Sequence, residues 1–484
     1  MSRTPFPWRE FGAVAALQLA FGVATFGRFP PVADGTFYHG FAVRLAAGLG
    51  YTFAWPDGAV TYAAHYPVGY PALLSLLYLA FGPHAGLAWV LGAALHLGAA
   101  AALARATAGT RARRFVMLAY GLHPALFFYT PTLMTEAVTA NLLVLGTFAL
   151  WRMRCTARGA LLAGLIFGVA TLVRPQSILV SLGLAGFLLL RGRAVRAAAV
   201  LAVVPFLVCA PWTLRNCDRM QRCALVSVNG GWNLLIGAHT EQGAWQALET
   251  PPACREVWDE AAKDECFGRE ARREILAAPG RWLLRVPAKA RATFDYFGAA
   301  PYTLHESNPA LLGERGKTVL AVAETGWQRA LLVLAALSFW KHGRRRRAGS
   351  VVAMAAALWP HGASWSILML AALALASARD RSDAPWRAGA GLVLLATLAL
   401  HAIFFGGGRY GLVVVPWVVW LAGTWLAEQG SGADVEILHG SSSRPENGIG
   451  PVRSRAATAS SGPLGSGRSA SAAPSRSVNA SAKP

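Results

Sequence analysis

The chain has 484 residues, 55% of them hydrophobic and only 14% charged, with a formal net charge of +21. That balance excludes an ordinary soluble globular protein, and several apolar runs are long enough to cross a bilayer. The basic excess does not describe a nucleic-acid surface either, because the cations sit in short clusters between apolar runs: Arg111, Arg113 and Arg114; Arg152, Arg154 and Arg158; Arg191, Arg193 and Arg196; and Arg344 to Arg347. Lys and Arg resist translocation, so such clusters mark the cytoplasmic loops of a multispanning membrane protein.

In chain order, apolar runs of helix length fall at roughly 11–27, 86–106, 115–131, 134–151, 159–173, 176–190 and 197–213, then near 326–340, 349–360, 363–378, 388–405 and 410–427. Some are shorter than the ~20 residues of a perpendicular span, which leaves room for re-entrant segments. Read as about twelve spans, they place every Arg cluster, Lys341 and the Arg379, Arg381 and Arg387 group on one side. The short connections on the opposite side carry only Arg28, Arg174 and Arg409. The first run can also be read as a signal peptide, with Arg3 and Arg9 ahead of it and Pro31-Val32-Ala33 behind it. An uncleaved span with the N-terminus inside is the preferred reading.

Two connections on the cation-poor side are long. In the first, residues 28–85, the stretch "YPALLSLLYLAFG" is apolar but short, and reads as a helix lying at the interface. In the second, residues 214–325, "ALVSVNGGWNLLIGA" alternates about an Asn-Gly-Gly turn and predicts two short strands. Farther on, "REVWDEAAKDECFGREARREILAAPGRWLLRV" has the period of an amphipathic helix. From about residue 428 to residue 484 the chain turns to Ser, Gly, Ala, Pro and scattered Arg, the composition of a disordered cytoplasmic tail. Residues 1–427 therefore form the membrane domain.

Four of the six cysteines lie in the second long connection. Two close pairs in a translocated loop predict disulfides, Cys217–Cys223 and Cys254–Cys266. The alternatives, reduced pairs or one zinc site, fit less well, because these spacings are not the zinc pattern. Cys155 and Cys209 fall in a cytoplasmic loop and a span.

Polar groups beside a bilayer are costly, and on the cation-poor face they gather. They are Asp34, Tyr38 and His39; His65, Tyr66 and Tyr70; Thr135 and Glu136; Arg174; Arg215 and Asn216; and Arg409 and Tyr410. His96 and His123 sit within spans and read as packing residues. A guanidinium is a planar, permanently charged fork suited to phosphate. A carboxylate beside it suits a general base or an ion pair. The set describes a site for a lipid-borne phosphate and a second reactant to be deprotonated. A nucleotide donor would need a cytoplasmic domain with a Gly-rich phosphate loop, which the chain lacks.

The order of the pieces carries a resemblance. The succession "DGTFYHGFA", "HYPVGYPALLSLLYLAFG", "TPTLMTEAVT", "GVATLVRPQS", "PWTLRNC", "VSVNGGWNLLIGA" and "RYGLVVVPWVVWLAG" is similar to the GT-C fold glycosyltransferases, in the superfamily of protein O-mannosyltransferases and the aminoarabinose transferase that modifies lipid A. It covers roughly residues 10–427. The resemblance implies an all-α polytopic membrane fold with a large extracytoplasmic α+β loop region, set in a bacterial inner membrane with its active site on the periplasmic face. It also implies transfer of a sugar from a polyprenyl-phosphate donor to a hydroxyl acceptor on a lipid, glycan or protein, with inversion at the anomeric carbon. Asp34 matches the family's first-loop acid and takes the role of general base. Arg174, Arg215 or Arg409 would stabilise the departing phosphate, and His65, Tyr66 and Tyr70 would line the donor cleft, with Tyr38 and His39 nearby. Glu136 would orient the acceptor or raise the basicity of Asp34 through like-charge proximity. Many relatives carry a second acid directly after the first-loop Asp, whereas Gly35 stands there in this chain. No cofactor is required; a divalent ion at Asp34, His65 or Glu136 is an open alternative. The competing classes are a secondary transporter or lipid flippase, an O-antigen ligase or polymerase using a diphosphate-linked glycan, and a catalytically dead scaffold.

Overall fold

The architecture is a helical bundle with a cap. A computed structural model describes residues 5–439 except 193 and 379–382. Arg193, Arg379 and Arg381 of the predicted cytoplasmic clusters, and the predicted tail beyond residue 439, lie outside the described residues. Residues 1–435 form one unit and residues 436–484 a second.

The first half of the chain runs α1 (Trp8–Thr25), α2 (Asp34–Ala46), β1 (Thr52–Ala54), β2 (Val60–Tyr62), α3 (Gly69–Phe81), α4 (Leu87–Ala106), α5 (Thr110–Gly121), α6 (Pro124–Phe127), α7 (Glu136–Arg152), α8 (Ala157–Val173), α9 (Ile178–Leu190) and α10 (Val195–Arg219). The second long connection then folds as α11 (Gly230–His239), α12 (Glu260–Ala277), α13 (Pro279–Leu284), α14 (Val286–Phe294) and α15 (Ala299–Ser307). The chain returns through α16 (Glu314–Leu337), α17 (Arg344–Leu358), α18 (Ala363–Ser377), α19 (Ala384–Ile403) and α20 (Val415–His439).

By length and composition, α4, α10, α16, α19 and the stretch Gly408–Gln429 are able to cross a membrane. The shorter apolar helices include α3, α8 and α18. Val203 and Leu207 on α10 and Val319 and Val322 on α16 stay exposed, which suits hydrocarbon rather than water. The predicted run 115–131 is not one helix. It breaks at His123, whose backbone is extended because Pro124 follows it, and restarts as the single turn α6. The α20 helix also passes the predicted boundary at residue 428 and continues to His439.

Three contacts fix which ends belong together. Glu10 at the start of α1 pairs with Arg114 at the start of α5, at 3.0 Å. His342 lies 3.3 Å from Glu428 and Lys341 donates to Gln429, so the turn before α17 meets the far part of α20. These are Arg-rich connections, and the acidic start of α2 follows the opposite end of α1.

The cap differs from expectation. The predicted strands around Asn229-Gly230-Gly231 are absent: the part from Gly230 onward is α11, and the part before it is irregular. Gly231 lies against the backbone of Asp264 on α12, where a Cβ has no room, so helix–helix contact overrides the alternating pattern. The named strands of the described residues are β1 and β2, an antiparallel hairpin in the first connection that pairs Thr52 with Tyr62. The predicted amphipathic helix forms as α12 and α13, broken at Pro279.

Both predicted disulfides are present, Cys217–Cys223 and Cys254–Cys266. The second ties the turn Pro252–Cys254 to α12 over a small core of Leu235, Phe267 and Ala271. Replacing Cys254 and Cys266 by Ser should destabilise the cap by about 3 kcal/mol. The expected readout is faster limited proteolysis between residues 240 and 285, with the membrane helices intact.

Candidate active site

Asp34 is the first residue of α2. The residue before it, Ala33, has φ of +49°, a left-handed backbone that ordinarily favours glycine. A non-glycine residue held there stores about 1–3 kcal/mol, and such strain collects where the surroundings dictate side-chain direction. Here it sets the angle at which the Asp34 carboxylate leaves the helix start. Nothing in the sequence marks this, since alanine gives no turn signal.

Gly35 packs against the segment leading into α7. A Cβ there would lie 3.1 Å from the Leu133 carbonyl oxygen and 3.2 Å from its Cβ. A side chain at residue 35 would need Leu133 to give by a few tenths of an ångström, so the close approach favours the glycine.

Glu136 opens α7 and is buried, its side chain 2% exposed. It accepts from Arg174 Nη1 at 2.7 Å and from the Tyr129 hydroxyl at 3.2 Å. Arg174 stands at the end of α8, where Pro175 stops the helix, and also donates to Thr135 Oγ1 at 3.1 Å. Arg409 lies in the short 3₁₀ helix Gly408–Val414 between α19 and α20. Its Nη1 pairs with Asp34 Oδ2 at 2.7 Å and its Nε lies 3.5 Å from Glu136 Oε1. Four charges from four separate elements thus meet, two acids and two arginines. Arg409 bridges the two carboxylates, which share it as a common cation.

Aromatic rings wall the cluster. Arg409 Nη2 donates to the Tyr410 hydroxyl at 3.1 Å, and both Arg174 and Arg409 lie about 5 Å from the Tyr410 ring centroid. His401 stacks on that ring at 4.5 Å. The Tyr66 hydroxyl reaches Asp34 Oδ1 at 3.5 Å. Tyr38 packs edge-on against Tyr66 and Tyr70, each at 5.5 Å. Burial and then the nearby Asp34 hold the phenols of Tyr38 and Tyr66 well above the usual tyrosine range, so both stay protonated. Tyr70 is buried behind Tyr38 and supports the wall from behind. His65 packs beside Tyr66, and burial lowers its pKa against the pull of Asp264 and Asp34, keeping the imidazole neutral at pH 7. His39 is turned away and hydrogen-bonds the Tyr78 hydroxyl at 2.7 Å.

Arg215 and Asn216 are not part of the ion cluster. The Arg215 guanidinium donates to the carbonyls of Ala63 and Tyr51, each at 2.9 Å, and so closes the base of the β1–β2 hairpin. Asn216 donates to the carbonyls of Ala224 and Val226, which holds the segment after α10. Arg215 thus shapes the first connection and Asn216 the start of the second. Glu260 at the start of α12 adds to this by accepting from the Ala64 backbone N–H at 2.6 Å, next to His65.

The second connection also grips the turn that presents Arg409. Lys289 on α14 is buried and donates to the Ala402 and Ile403 carbonyls at the end of α19, capping that helix with a positive charge. Gly406 N donates to the Gly243 carbonyl at 2.6 Å. Sequence reasoning named Thr135 beside Glu136 but missed Tyr129, His401 and Lys289.

Below Arg174 and Tyr410 a narrow cleft runs between α7, α9 and α19. Leu143, Val180, Ala396, Leu400 and Val413 give it an apolar wall, interrupted by Thr139, Gln176, Ser177, Thr397 and His401. Among the described residues no group of three or more His, Cys, Asp or Glu is placed to hold a metal ion.

No protein-family model matches the chain, and no curated protein matches it. Solved structures with a similar course include ArnT from Cupriavidus metallidurans bound to undecaprenyl phosphate, at 15% identity and a TM-score of 0.39, covering 92% of this chain and 82% of that one. The apo form of the same protein gives 15% identity and a TM-score of 0.38, over 90% and 80% of the two chains. The archaeal oligosaccharyltransferase AglB from Archaeoglobus fulgidus, in complex with an inhibitory peptide and a dolichol-phosphate, gives 13% and 0.44, over 92% of this chain and 53% of its own length.

Proposed function

We propose that the protein is an integral-membrane inverting glycosyltransferase, which moves a sugar from a polyprenyl-phosphate donor to a hydroxyl acceptor. The single observation that carries this reading is the four-charge cluster of Asp34, Glu136, Arg174 and Arg409 at the mouth of an apolar cleft. Paired guanidinium forks suit a phosphate, and the cleft below them suits the hydrocarbon of the lipid that carries it. The order of sequence motifs that resembles GT-C enzymes supports the same assignment. On this reading the site faces the periplasm of a bacterial inner membrane, away from the Arg-rich connections.

The chemistry follows from position. The acceptor oxygen attacks the anomeric carbon from the face opposite the phosphate, and its proton passes to an Asp34 carboxylate oxygen. The bond from carbon to phosphate oxygen breaks, leaving its electron pair on the phosphate, which Arg174 and Arg409 bind. Glu136, held by Arg174 and Tyr129, orients the arginines and touches neither reactant. The protonated Tyr66 hydroxyl steadies Asp34.

The test compares donors. Purified protein is given a labelled sugar on polyprenyl monophosphate or on polyprenyl diphosphate, with a mixture of hydroxyl acceptors. Loss of label from the monophosphate is the expected result. Turnover of the diphosphate alone would make the protein a ligase or polymerase, and an intact donor recovered across the membrane would make it a transporter.

A further inference from the structure

Among the described residues the cluster has no spare cation. The ion pairs of Asp34 and Glu136 involve only Arg174 and Arg409, so two negative charges already meet two positive ones. A phosphate diester arriving in this site brings another negative charge, and the departing lipid phosphate carries one more. One carboxylate must give up its partner, and the two are not equally able to. Glu136 is buried and held from three directions by Arg174, Arg409 and Tyr129. Stripping a buried carboxylate of its partners is the expensive option. The Asp34–Arg409 pair is 29% and 30% exposed and rests on one contact at 2.7 Å, so it is the cheap one to open.

We infer that Arg409 is exchanged between Asp34 and the donor's phosphate, so that the base is released only when donor occupies the site. This rests on the donor class proposed above and adds an order of events to it. With the site empty of donor, Arg409 covers Asp34, and a hydroxyl reaching the carboxylate meets an oxygen already engaged. Donor phosphate draws Arg409 away, and Asp34 then faces the acceptor. The transfer step completes the exchange. As the acceptor's proton moves to Asp34 its charge is lost, while cleavage of the bond from carbon to phosphate oxygen adds a charge to the phosphate. Arg409 is then held by the phosphate alone. When the lipid phosphate leaves and Asp34 loses its proton, the pair re-forms. Arg174 stays with Glu136 throughout and serves as the fixed half of the phosphate site.

Competition for one guanidinium gives a result that a simple base would not. Removing the charge of Asp34 should tighten the binding of undecaprenyl phosphate, a product-like probe without sugar. The measurement is equilibrium binding of undecaprenyl phosphate to full-length protein in nanodiscs of zwitterionic lipid, at fixed salt. Asp34→Asn is expected to bind roughly fivefold more tightly than wild type. In an Arg409→Gln background the same change should give no gain. Asp34→Ser is the second variant, since Asn and Ser are both well tolerated at a helix start, and thermal unfolding shows that each variant is folded. Unchanged or weaker binding in the Asp34 variants overturns the exchange while leaving the donor assignment in place, as does a gain that survives Arg409→Gln. A wild-type protein that does not bind the lipid phosphate overturns both.

Discussion

Asp34→Asn is expected to remove sugar transfer while leaving the protein folded. The substitution keeps the shape of the side chain and its place at the start of α2, but takes away the group that accepts the acceptor's proton. General-base contributions are on the order of 10²–10⁴-fold, so the initial rate should fall by that much at equal protein. Thermal unfolding should stay close to wild type, because the pair with Arg409 is partly exposed and worth about 1 kcal/mol or less. Near-normal turnover would take the base role from Asp34, and collapse of the fold would assign it a structural role instead.

Glu136→Gln is expected to show the opposite balance. This carboxylate is buried and is the common partner of Arg174 and Arg409. Neutralising it leaves a buried guanidinium with no compensating charge, a loss of about 3–5 kcal/mol. Detergent-solubilised protein should unfold at clearly lower temperature, and transfer should fall because both arginines lose their bearing on the phosphate. Replacing Glu136 and Arg174 together by Met should recover most of the stability and none of the activity. A double variant no more stable than Glu136→Gln would mean that the pair is not what holds α7 to the end of α8.

Much of the site was legible because bilayer physics leaves few reasons for a charge at a helix end. Asp34, Glu136, Arg174 and Arg409 each border an apolar run on the cation-poor side, and the structure brings all four together. Sidedness places residues on a face but does not pair them. Arg215 borders such a run too, yet the path of the first connection puts two backbone carbonyls within its reach and its guanidinium is spent there. Tyr129 was invisible because it sits in an apolar run and only the break at Pro124 turns it toward Glu136. The alternation near Gly231 pointed to strands because local pattern cannot report that α12 would press against that glycine. The cysteine pairs were readable from compartment and closeness in sequence, which need no tertiary knowledge. The span count was less so, since several apolar helices are shorter than a bilayer is thick.

The most direct test of the central claim is a single-turnover experiment on purified protein with a donor carrying one label on the sugar and another on the phosphate. The account predicts that wild-type protein separates the two labels one for one, with phosphate label left on the lipid and sugar label on a hydroxyl. In Asp34→Asn the labels should stay together on bound donor. Labels that never separate in wild-type protein, or that separate equally well in both proteins, would contradict it.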